Sequence, residues 1–441
     1  MKFKLNFISL FLLCYVLNAQ QVSFEEFDLE NGLHVILHQD NTAPVITTSV
    51  LYHVGSKDED PERTGFAHFF EHLLFEGTEN IERGKWFSIV SSNGGNNNAY
   101  TTDDFTYYYE VFPSNNLELS LWLESERMLH PVINEIGVET QNEVVKEEKR
   151  LRYDNSPYGK WMENVKSELY KKHPYKQTAI GKMEHLDAAT LEEFIAFNKK
   201  FYIPNNAVLV VAGDIEIEKT KQLVDAYFGE IPKGDPIERN YPKEDPITKA
   251  IKAEAFDPNI QIPALFTAYR TPSMVTREAR VLDMISTYLS DGNSSKLYKK
   301  LVDKKKMSLQ VAAFNMSQED YGTYVILTLP LGDNSLEALT KEIDEEVEKI
   351  QNNLISEKDY QKLQNKFESS FVNSNSSVEG IANSLAEYYA LYGDTNLINT
   401  EIDIYRSITR EEIQAVAKKY LNPNQRLILD YLPEIAANEK Q

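Results

Sequence analysis

Two segments of the sequence, 219 residues apart, share one pattern. Thr-Leu-Glu-Glu-Phe at 190–194 matches Thr-Arg-Glu-Glu-Ile at 409–413, and each copy is followed at equal distances by Lys-Lys, by Pro-Asn and by a strand-like apolar run. Self-similarity over such a length indicates two related domains in tandem. We therefore expect an α+β fold with two homologous domains, each a mostly antiparallel sheet with helices packed on one face.

A proline-rich segment separates the two expected domains. Four prolines occur among charged and polar residues between positions 232 and 250, which is typical of a linker. We predict an N-terminal domain at 20–231, a linker at 232–250 and a C-terminal domain at 251–441. A chain of 441 residues, of which 42% are hydrophobic, can build two such cores.

The first 19 residues have the pattern of a secretory signal peptide. Lys2 and Lys4 precede an apolar run at 7–17, which is too short for a comfortable membrane span, and Leu-Asn-Ala ends at position 19. We predict a signal peptide at 1–19 and an exported protein, most simply periplasmic, without membrane insertion. The single cysteine, Cys14, lies in this segment, so the mature chain would have no disulfide.

The charge of the chain limits its partners. The formal net charge is −22 and no basic patch is visible to neutralise phosphates. This argues against nucleic acid and anionic membrane surfaces as partners.

The segment from Thr64 to Thr78 predicts an amphipathic helix. Its apolar residues recur at steps of three and four, at Phe66, Phe69, Phe70, Leu73 and Leu74. We expect Thr64 to cap the start of this helix and Gly77 to end it in a left-handed turn.

This helix contains the pattern H-x-x-E-H. His68 and His72 are four residues apart and project from one face, so they can be two of the three protein ligands of a catalytic zinc that keeps a fourth position for water. Glu71 beside them can take a proton from that water as general base. With 8 histidines in 441 residues, a chance match has a probability on the order of 0.01. The motif alone also fits a helix with two structural histidines.

An acidic helix predicted at 133–152 offers candidates for the third ligand. They are Glu143, Glu147 and Glu148, and spacing alone does not choose among them. A charged run of this kind is also typical of a solvated helix face. Five other histidines have no ligand spacing to a partner, and we interpret them as structural: His34, His38, His53, His130 and His173.

A turn-rich segment leads into an aromatic strand at 104–112. At the edge of a sheet beside the metal, such a strand offers free N–H and C=O groups to an extended peptide. An ordinary strand packed inside the sheet fits the composition equally well.

These motifs together resemble the pitrilysin/insulysin (inverzincin) family of zinc metallopeptidases, which includes the mitochondrial processing peptidase and the core subunits of respiratory complex III. The likeness covers the H-x-x-E-H helix with its Leu-Leu-Phe-Glu-Gly-Thr tail, Gly-Gly-x-x-Asn-Ala-x-Thr, Val-Val-x-Glu-Glu, Val-Val-Ala-Gly-Asp and the tandem domains. The length is that of the small two-domain members, in which each chain forms half of a clam-like chamber.

The resemblance implies a ligand set. His68, His72 and Glu148 would hold one zinc ion per chain, and Glu71 would be the catalytic base. The family's glutamate seven residues before the third ligand, which supports the metal from behind, is replaced here by Gln141.

The resemblance also implies where substrate binds. The family's substrate-pairing edge strand falls on Asn98, Ala99 and Tyr100. Active members carry an Arg and, seven residues later, a Tyr that reach the site from the second domain; the matching positions here are Val302 and Leu309. Losing an oxyanion donor typically lowers the rate by about 10²–10³. The resemblance therefore implies a partner subunit that carries the Arg/Tyr pair, in a heterodimer, with a homodimer as the alternative.

The sequence thus predicts a zinc-dependent endopeptidase that hydrolyses peptides or unfolded segments inside a closed chamber, using a zinc-bound water activated by Glu71. A specific processing peptidase is one alternative within the enzymes. The other is a non-catalytic assembly or scaffold subunit of the same fold, which predicts decayed ligands.

Overall fold

A computed structural model covers residues 21–434 of the chain. The predicted signal peptide at 1–19, which includes Cys14, and residues 435–441 lie outside the described residues. Within the described range the chain forms two β-sheets, one from each half, packed with helices. None of the helices there combines the length and the apolar character that a membrane span requires.

The first half builds a six-stranded sheet and eight α-helices within the described range. Its strands are β1 (Glu25–Asp28), β2 (His34–Gln39), β3 (Val45–Tyr52), β4 (Asn96–Thr101), β5 (Thr106–Pro113) and β6 (Ala207–Gly213). Its helices are α1 (Phe66–Leu73), α2 (Trp86–Ser92), α3 (Leu117–Leu129), α4 (Glu135–Lys149), α5 (Trp161–Leu169), α6 (Met183–Ala188), α7 (Leu191–Phe201) and α8 (Ile217–Phe228). A π-helical turn at Arg150–Asp154 continues α4.

The second half builds a five-stranded sheet and six α-helices in the part of the chain that the structure describes. Its strands are β7 (Ile251–Asp257), β8 (Ala264–Pro272), β9 (Ser308–Met316), β10 (Tyr321–Pro330) and β11 (Leu427–Pro433). Its helices are α9 (Arg277–Ser290), α10 (Leu336–Asn352), α11 (Glu357–Ser374), α12 (Val378–Glu387), α13 (Leu397–Ser407) and α14 (Arg410–Tyr420).

The two sheets have equivalent strand orders. The first runs β1-β2-β6-β3-β5-β4 and the second β7-β11-β8-β10-β9. The pairs β2/β6 and β7/β11 are parallel, and the other neighbouring strands are antiparallel. Apart from β1, each strand of the first sheet has a counterpart in the second. The tandem, mostly antiparallel α+β fold predicted from the repeat is confirmed.

Both faces of the first sheet are covered. In β2, Val35 and Leu37 pack with helices of their own half, whereas Ile36 joins a cluster with Ile381 and Leu385 of α12. Successive residues of a strand point to opposite faces. Helix α12 of the second half therefore covers the face that the helices of the first half leave open.

The exchange is reciprocal. Val165 and Leu169 of α5 pack in one cluster with Phe266 and Leu429 of the second sheet. Trp161 at the start of α5 stacks on Phe266 with 5.2 Å between ring centroids. Each half thus packs its own helices on one face, as expected, and receives a helix from the other half on the second face, which the sequence did not indicate.

The proline-rich segment at 232–250 contains no helix or strand and is held by both halves. The Tyr241 hydroxyl donates to Asp58 Oδ1 of the first half at 2.6 Å. Glu244 pairs with Arg270 of the second half at 3.4 Å. The exact domain boundaries given above stay a prediction.

A fully buried arginine supports the first sheet and α1. Arg127 of α3 pairs with Glu110 of β5 at 3.0 Å and with Glu124 at 3.1 Å, and none of the three side chains is exposed. Its guanidinium also donates to the Leu74 carbonyl at the end of α1. It lies 4.1–4.4 Å from the ring centroids of Phe75, Trp86 and Tyr108. Burial raises the pKa of Glu110 well above its usual value, so the carboxylates depend on the arginine for their charge.

Replacing Arg127 by Met should lower the free energy of unfolding by about 3–5 kcal/mol, because it leaves buried carboxylates without a counter-charge. Urea denaturation measures the change. Arg406→Met is the matched control, since Arg406 also pairs with two carboxylates, Glu368 and Asp403, but its side chain is 44% exposed. It should lose less than about 1 kcal/mol. Equal losses in the two variants would contradict this account of the buried cluster.

Candidate metal centre

The start of α1 is capped by a residue that the sequence did not indicate. The helix begins after Gly65, whose φ of 95° is left-handed, and Glu59 accepts hydrogen bonds from the N–H groups of Gly65 and Ala67, each at 2.8 Å. An anionic group at a helix N-terminus is favourable for both reasons. The expectation that Thr64 caps the helix is wrong, because its hydroxyl bonds to His185 Nδ1 at 2.8 Å.

The other end of α1 also differs from the expectation. The helix ends at Leu73, with Leu74 as its C-cap. Gly77 lies three residues beyond this cap with a φ of 150°, so it does not form the left-handed cap that was expected. A Cβ at Gly77 would lie 2.7 Å from the Ile81 carbonyl oxygen, which explains why glycine is required there.

The apolar face of α1 is fixed against α7 and the sheet. Phe66 and Phe69 pack on Phe194, with ring centroids 4.6 and 4.7 Å apart. The Tyr108 hydroxyl donates to the Phe70 carbonyl at 2.8 Å. Because this face is buried, the opposite face of the helix presents the two histidines of the motif in fixed positions.

Helix α4 brings a carboxylate to these histidines. Glu148 Oε2 lies 3.2 Å from His72 Nε2 and 3.6 Å from His68 Nε2. One possible ligand atom from each of the three residues lies within 4.8 Å of the others. Within residues 21–434, no other group of three or more His, Cys, Asp or Glu side chains comes this close.

The other two candidate glutamates of α4 face away. The side chain of Glu143 is 77% exposed and pairs with Lys146 at 3.3 Å. The side chain of Glu147 is 51% exposed and pairs with Arg150. Of the three glutamates that spacing left open, Glu148 is the one that faces the histidines.

The chemistry of this donor set fits zinc. Imidazole nitrogens and a carboxylate oxygen are ligands that zinc takes. Burial and the neighbouring His72 lower the pKa of His68 to about 4, so its ring is neutral near pH 7. A hydrogen bond with His72 lowers the pKa of Glu148, which keeps this carboxylate charged. Two imidazoles and one carboxylate are therefore available to a divalent cation.

Glu71 lies next to the candidate ligands. Its Oε2 accepts a hydrogen bond from the Thr101 hydroxyl of β4 at 2.6 Å. Burial raises the pKa of Glu71 above its usual value, and a carboxyl group shifted in this direction is a better proton acceptor and donor near neutral pH. Sequence reasoning did not pair Thr101 with Glu71, although both belong to motifs quoted above.

Strand β4 forms the edge of the first sheet next to α1. The Ala99 N–H is bonded to Asn98 Oδ1 at 3.0 Å rather than to β5. Tyr100 points to the second half, where its hydroxyl donates to Asn383 of α12 at 2.6 Å. The three residues predicted to bind substrate therefore lie on an edge strand, with one backbone donor held by a side chain of the same strand.

The second-half positions that resemble the family's Arg/Tyr pair carry no polar side chain. Val302 lies in a π-helical turn at Tyr298–Lys304 and packs against the second core. Leu309 is 47% exposed on β9, the edge of the second sheet. Gln141, in the position of the family's supporting glutamate, donates to Glu76, which also pairs with Arg83.

The remaining predicted structural histidines have other partners. His34 bonds to Asp28 at 2.8 Å and stacks on Tyr389, while His53 bonds to Glu319 at 2.8 Å. The others bond to the Ser23 carbonyl, Glu126 and Asp320: His38, His130 and His173.

Comparison with known proteins identifies the family. Residues 34–182 match the domain described as Insulinase (Peptidase family M16), and residues 188–367 match the Peptidase M16 inactive domain. The zinc protease PqqE of Helicobacter pylori is 32% identical over 367 residues, which cover 82% of this chain and 83% of that protein. The chain belongs to peptidase family M16. The predicted pitrilysin/insulysin resemblance is thereby confirmed.

Other M16 relatives show the same relationship. The mitochondrial-processing peptidase subunit beta of Saccharomyces cerevisiae is 26% identical over 210 residues, 47% of this chain and 45% of that one. The crystal structure of a protease from Helicobacter pylori superposes with a TM-score of 0.89 at 30% identity, covering 93% of this chain and 99% of that chain. The first half of the periplasmic protease PqqL from Escherichia coli shares the fold, with a TM-score of 0.77 at 18% identity, covering 96% of this chain and 95% of that one.

Replacing Glu59 by Ala should lower the free energy of unfolding by about 2–3 kcal/mol, because two buried N–H groups at the start of α1 lose a charged acceptor. Chemical denaturation of the metal-free protein measures this. Glu62→Ala, at an exposed position three residues away, should change stability by less than about 0.5 kcal/mol. If the two variants were equally stable, Glu59 would not be the cap that fixes α1.

Proposed function

We propose that this M16 chain is a zinc-dependent endopeptidase acting on peptides or unfolded segments. The observation that carries the proposal is the convergence of His68, His72 and Glu148, with Glu71 beside them on the same helix. Two neutral imidazoles, one carboxylate and one adjacent general base are the parts that a catalytic zinc site needs. The names of M16 relatives as zinc proteases support the same conclusion.

His68, His72 and Glu148 would hold one zinc ion per chain. Bound zinc supplies Lewis acidity, which polarises the scissile carbonyl and makes water a stronger acid. Glu71 takes the proton from the attacking water at its carboxylate and passes it to the leaving amine nitrogen. The Thr101 hydroxyl, 2.6 Å from Glu71 Oε2, holds that carboxylate in one orientation during both transfers.

The substrate would add to the first sheet as a further strand beside β4. The free edge of β4 offers backbone groups near Asn98, Ala99 and Tyr100, and β-strand addition uses such groups for affinity. In this arrangement a substrate carbonyl replaces Asn98 Oδ1 as the acceptor for the Ala99 N–H. An extended backbone is required for this pairing, so the mode selects unfolded segments over folded proteins.

A partner subunit is part of the proposal. Val302 and Leu309 cannot donate hydrogen bonds from their side chains, so this chain lacks the charge-stabilising pair at those positions. We propose a heterodimer in which a homologous subunit supplies an Arg/Tyr pair and closes the chamber. The alternative scaffold function is disfavoured by the intact set of candidate ligands.

The proposed location is the periplasm. The pattern of residues 1–19 supports export. The name of the structural neighbour PqqL, a periplasmic protease, is consistent with it.

Glu71→Gln should reduce cleavage of quenched fluorescent peptides by about 10²–10⁴-fold, because the general base is lost, while bound zinc stays near one per chain. Glu148→Gln should instead lose zinc, because a neutral amide replaces the charged ligand. Glu147→Gln is the matched control on the outer side of α4 and should retain both. Metal analysis and peptide assays on the same samples test this. Zinc bound equally by all three variants would overturn the ligand assignment.

Peptide cleavage should increase by about 10²-fold or more when the chain is mixed with a homologous subunit that carries the Arg/Tyr pair, because the missing oxyanion donors are restored. The increase should disappear with Glu71→Gln in this chain. Full Glu71-dependent activity of the chain alone would contradict the need for a partner. Zinc binding without activity in any mixture would support the scaffold alternative.

A further inference from the structure

The two oxygens of the Glu148 carboxylate have different partners. Oε2 faces the Nε2 atoms of His68 and His72, at 3.6 and 3.2 Å. Oε1 lies 2.7 Å from Arg152 Nη1. In the described part of the chain, Arg152 is the one lysine or arginine that pairs with Glu148. The carboxylate is therefore held from both sides, with one oxygen on the side of the candidate metal site.

The backbone after α4 determines which arginine reaches Glu148. The helix continues as a π-helical turn at Arg150–Asp154, a form that is rare and often occurs at functional sites. Arg152 is four residues after Glu148 and lies on the same side of the helix. Arg150, two residues earlier, pairs with the exposed Glu147 instead. Two neighbouring arginines thus make similar ion pairs, one at the candidate metal site and one away from it.

The pair between Arg152 and Glu148 is not an ordinary surface ion pair. The arginine side chain is 74% exposed, but the glutamate side chain is only 16% exposed. Surface pairs of this spacing contribute little to stability. A ligating carboxylate, however, can rotate and offer a metal one oxygen or two, and groups bonded to its second oxygen restrict that choice.

We propose that Arg152 is a positioning residue for the metal site: by holding Glu148 Oε1, it leaves Oε2 as the single oxygen that Glu148 presents together with the two histidines. This inference rests on the proposed function, since it concerns the same site. It adds a residue that neither the motif nor its spacing indicates.

The positive charge of Arg152 has an opposite effect that makes the inference testable. A guanidinium near a cation site disfavours cation binding by repulsion, but a side chain that is mostly exposed is strongly screened by water. Orientation of Glu148 should therefore outweigh repulsion. Removal of Arg152 should weaken zinc binding if orientation dominates and strengthen it if repulsion dominates.

The test compares the zinc dissociation constants of purified mature chains, measured by competition with a chromophoric chelator at one pH. Arg152→Gln should bind zinc about 10-fold more weakly or worse, the range expected when a group behind a ligand is lost. Arg152→Lys, which keeps one N–H donor and the charge, should stay within about 3-fold of the unaltered chain. Arg150→Gln is the matched control and should bind as the unaltered chain does.

X-ray absorption of the bound zinc supplies a second readout, which a purely structural role of Arg152 would not change. Arg152→Gln should alter the oxygen coordination while the thermal stability of the metal-free protein stays that of Arg150→Gln. Unchanged or tighter zinc binding by Arg152→Gln would overturn this inference alone. Absence of zinc binding by the unaltered chain would overturn the proposed function and this inference together.

Discussion

The exchange of α5 and α12 between the halves is the constraint on which the rest of the structure depends. Each sheet buries one face with its own helices and the other with a helix from the opposite half. Burial of apolar surface is the main stabilising contribution in folding. Removing either half would therefore expose an entire sheet face of the other. The two homologous units form one interdependent structure rather than two independent domains.

This exchange also constrains the candidate metal centre. Helix α4 carries Glu148 on the side of the first sheet, and the chain then passes through the π-helical turn and a short loop into α5, which packs on the second sheet. In that loop, Tyr158 N–H donates to Asp257 of β7 at 3.0 Å. The two histidines depend on the first half alone, while the segment that carries Glu148 is fixed at both ends by different halves.

Sequence periodicity and spacing predicted much of this arrangement. The tandem fold followed from the repeat, and α7 has the bounds that its apolar pattern indicates. The histidine pair and Glu71 followed from a helical motif, because residues four apart share a face. These features are local, so a single segment of sequence contains the information that determines them.

Other features could not be read from local patterns. The choice of Glu148 over Glu143 and Glu147 depends on the rotation of α4 against α1, and spacing left it open until the family resemblance was used. Glu59 caps α1 from a loop outside the helix, where the cap was expected at Thr64. The exchange of helices depends on tertiary packing between segments that are distant in sequence, which periodicity does not report.

The position of α12 late in the chain has a consequence for biosynthesis. A ribosome that has made the first 250 residues has produced every strand of the first sheet, but α12 begins at residue 378. Contacts between segments so distant in sequence form slowly because a long loop must close first. The first sheet therefore remains open on one side until translation is nearly complete, and during that interval the nascent chain presents an apolar surface of the kind that molecular chaperones bind.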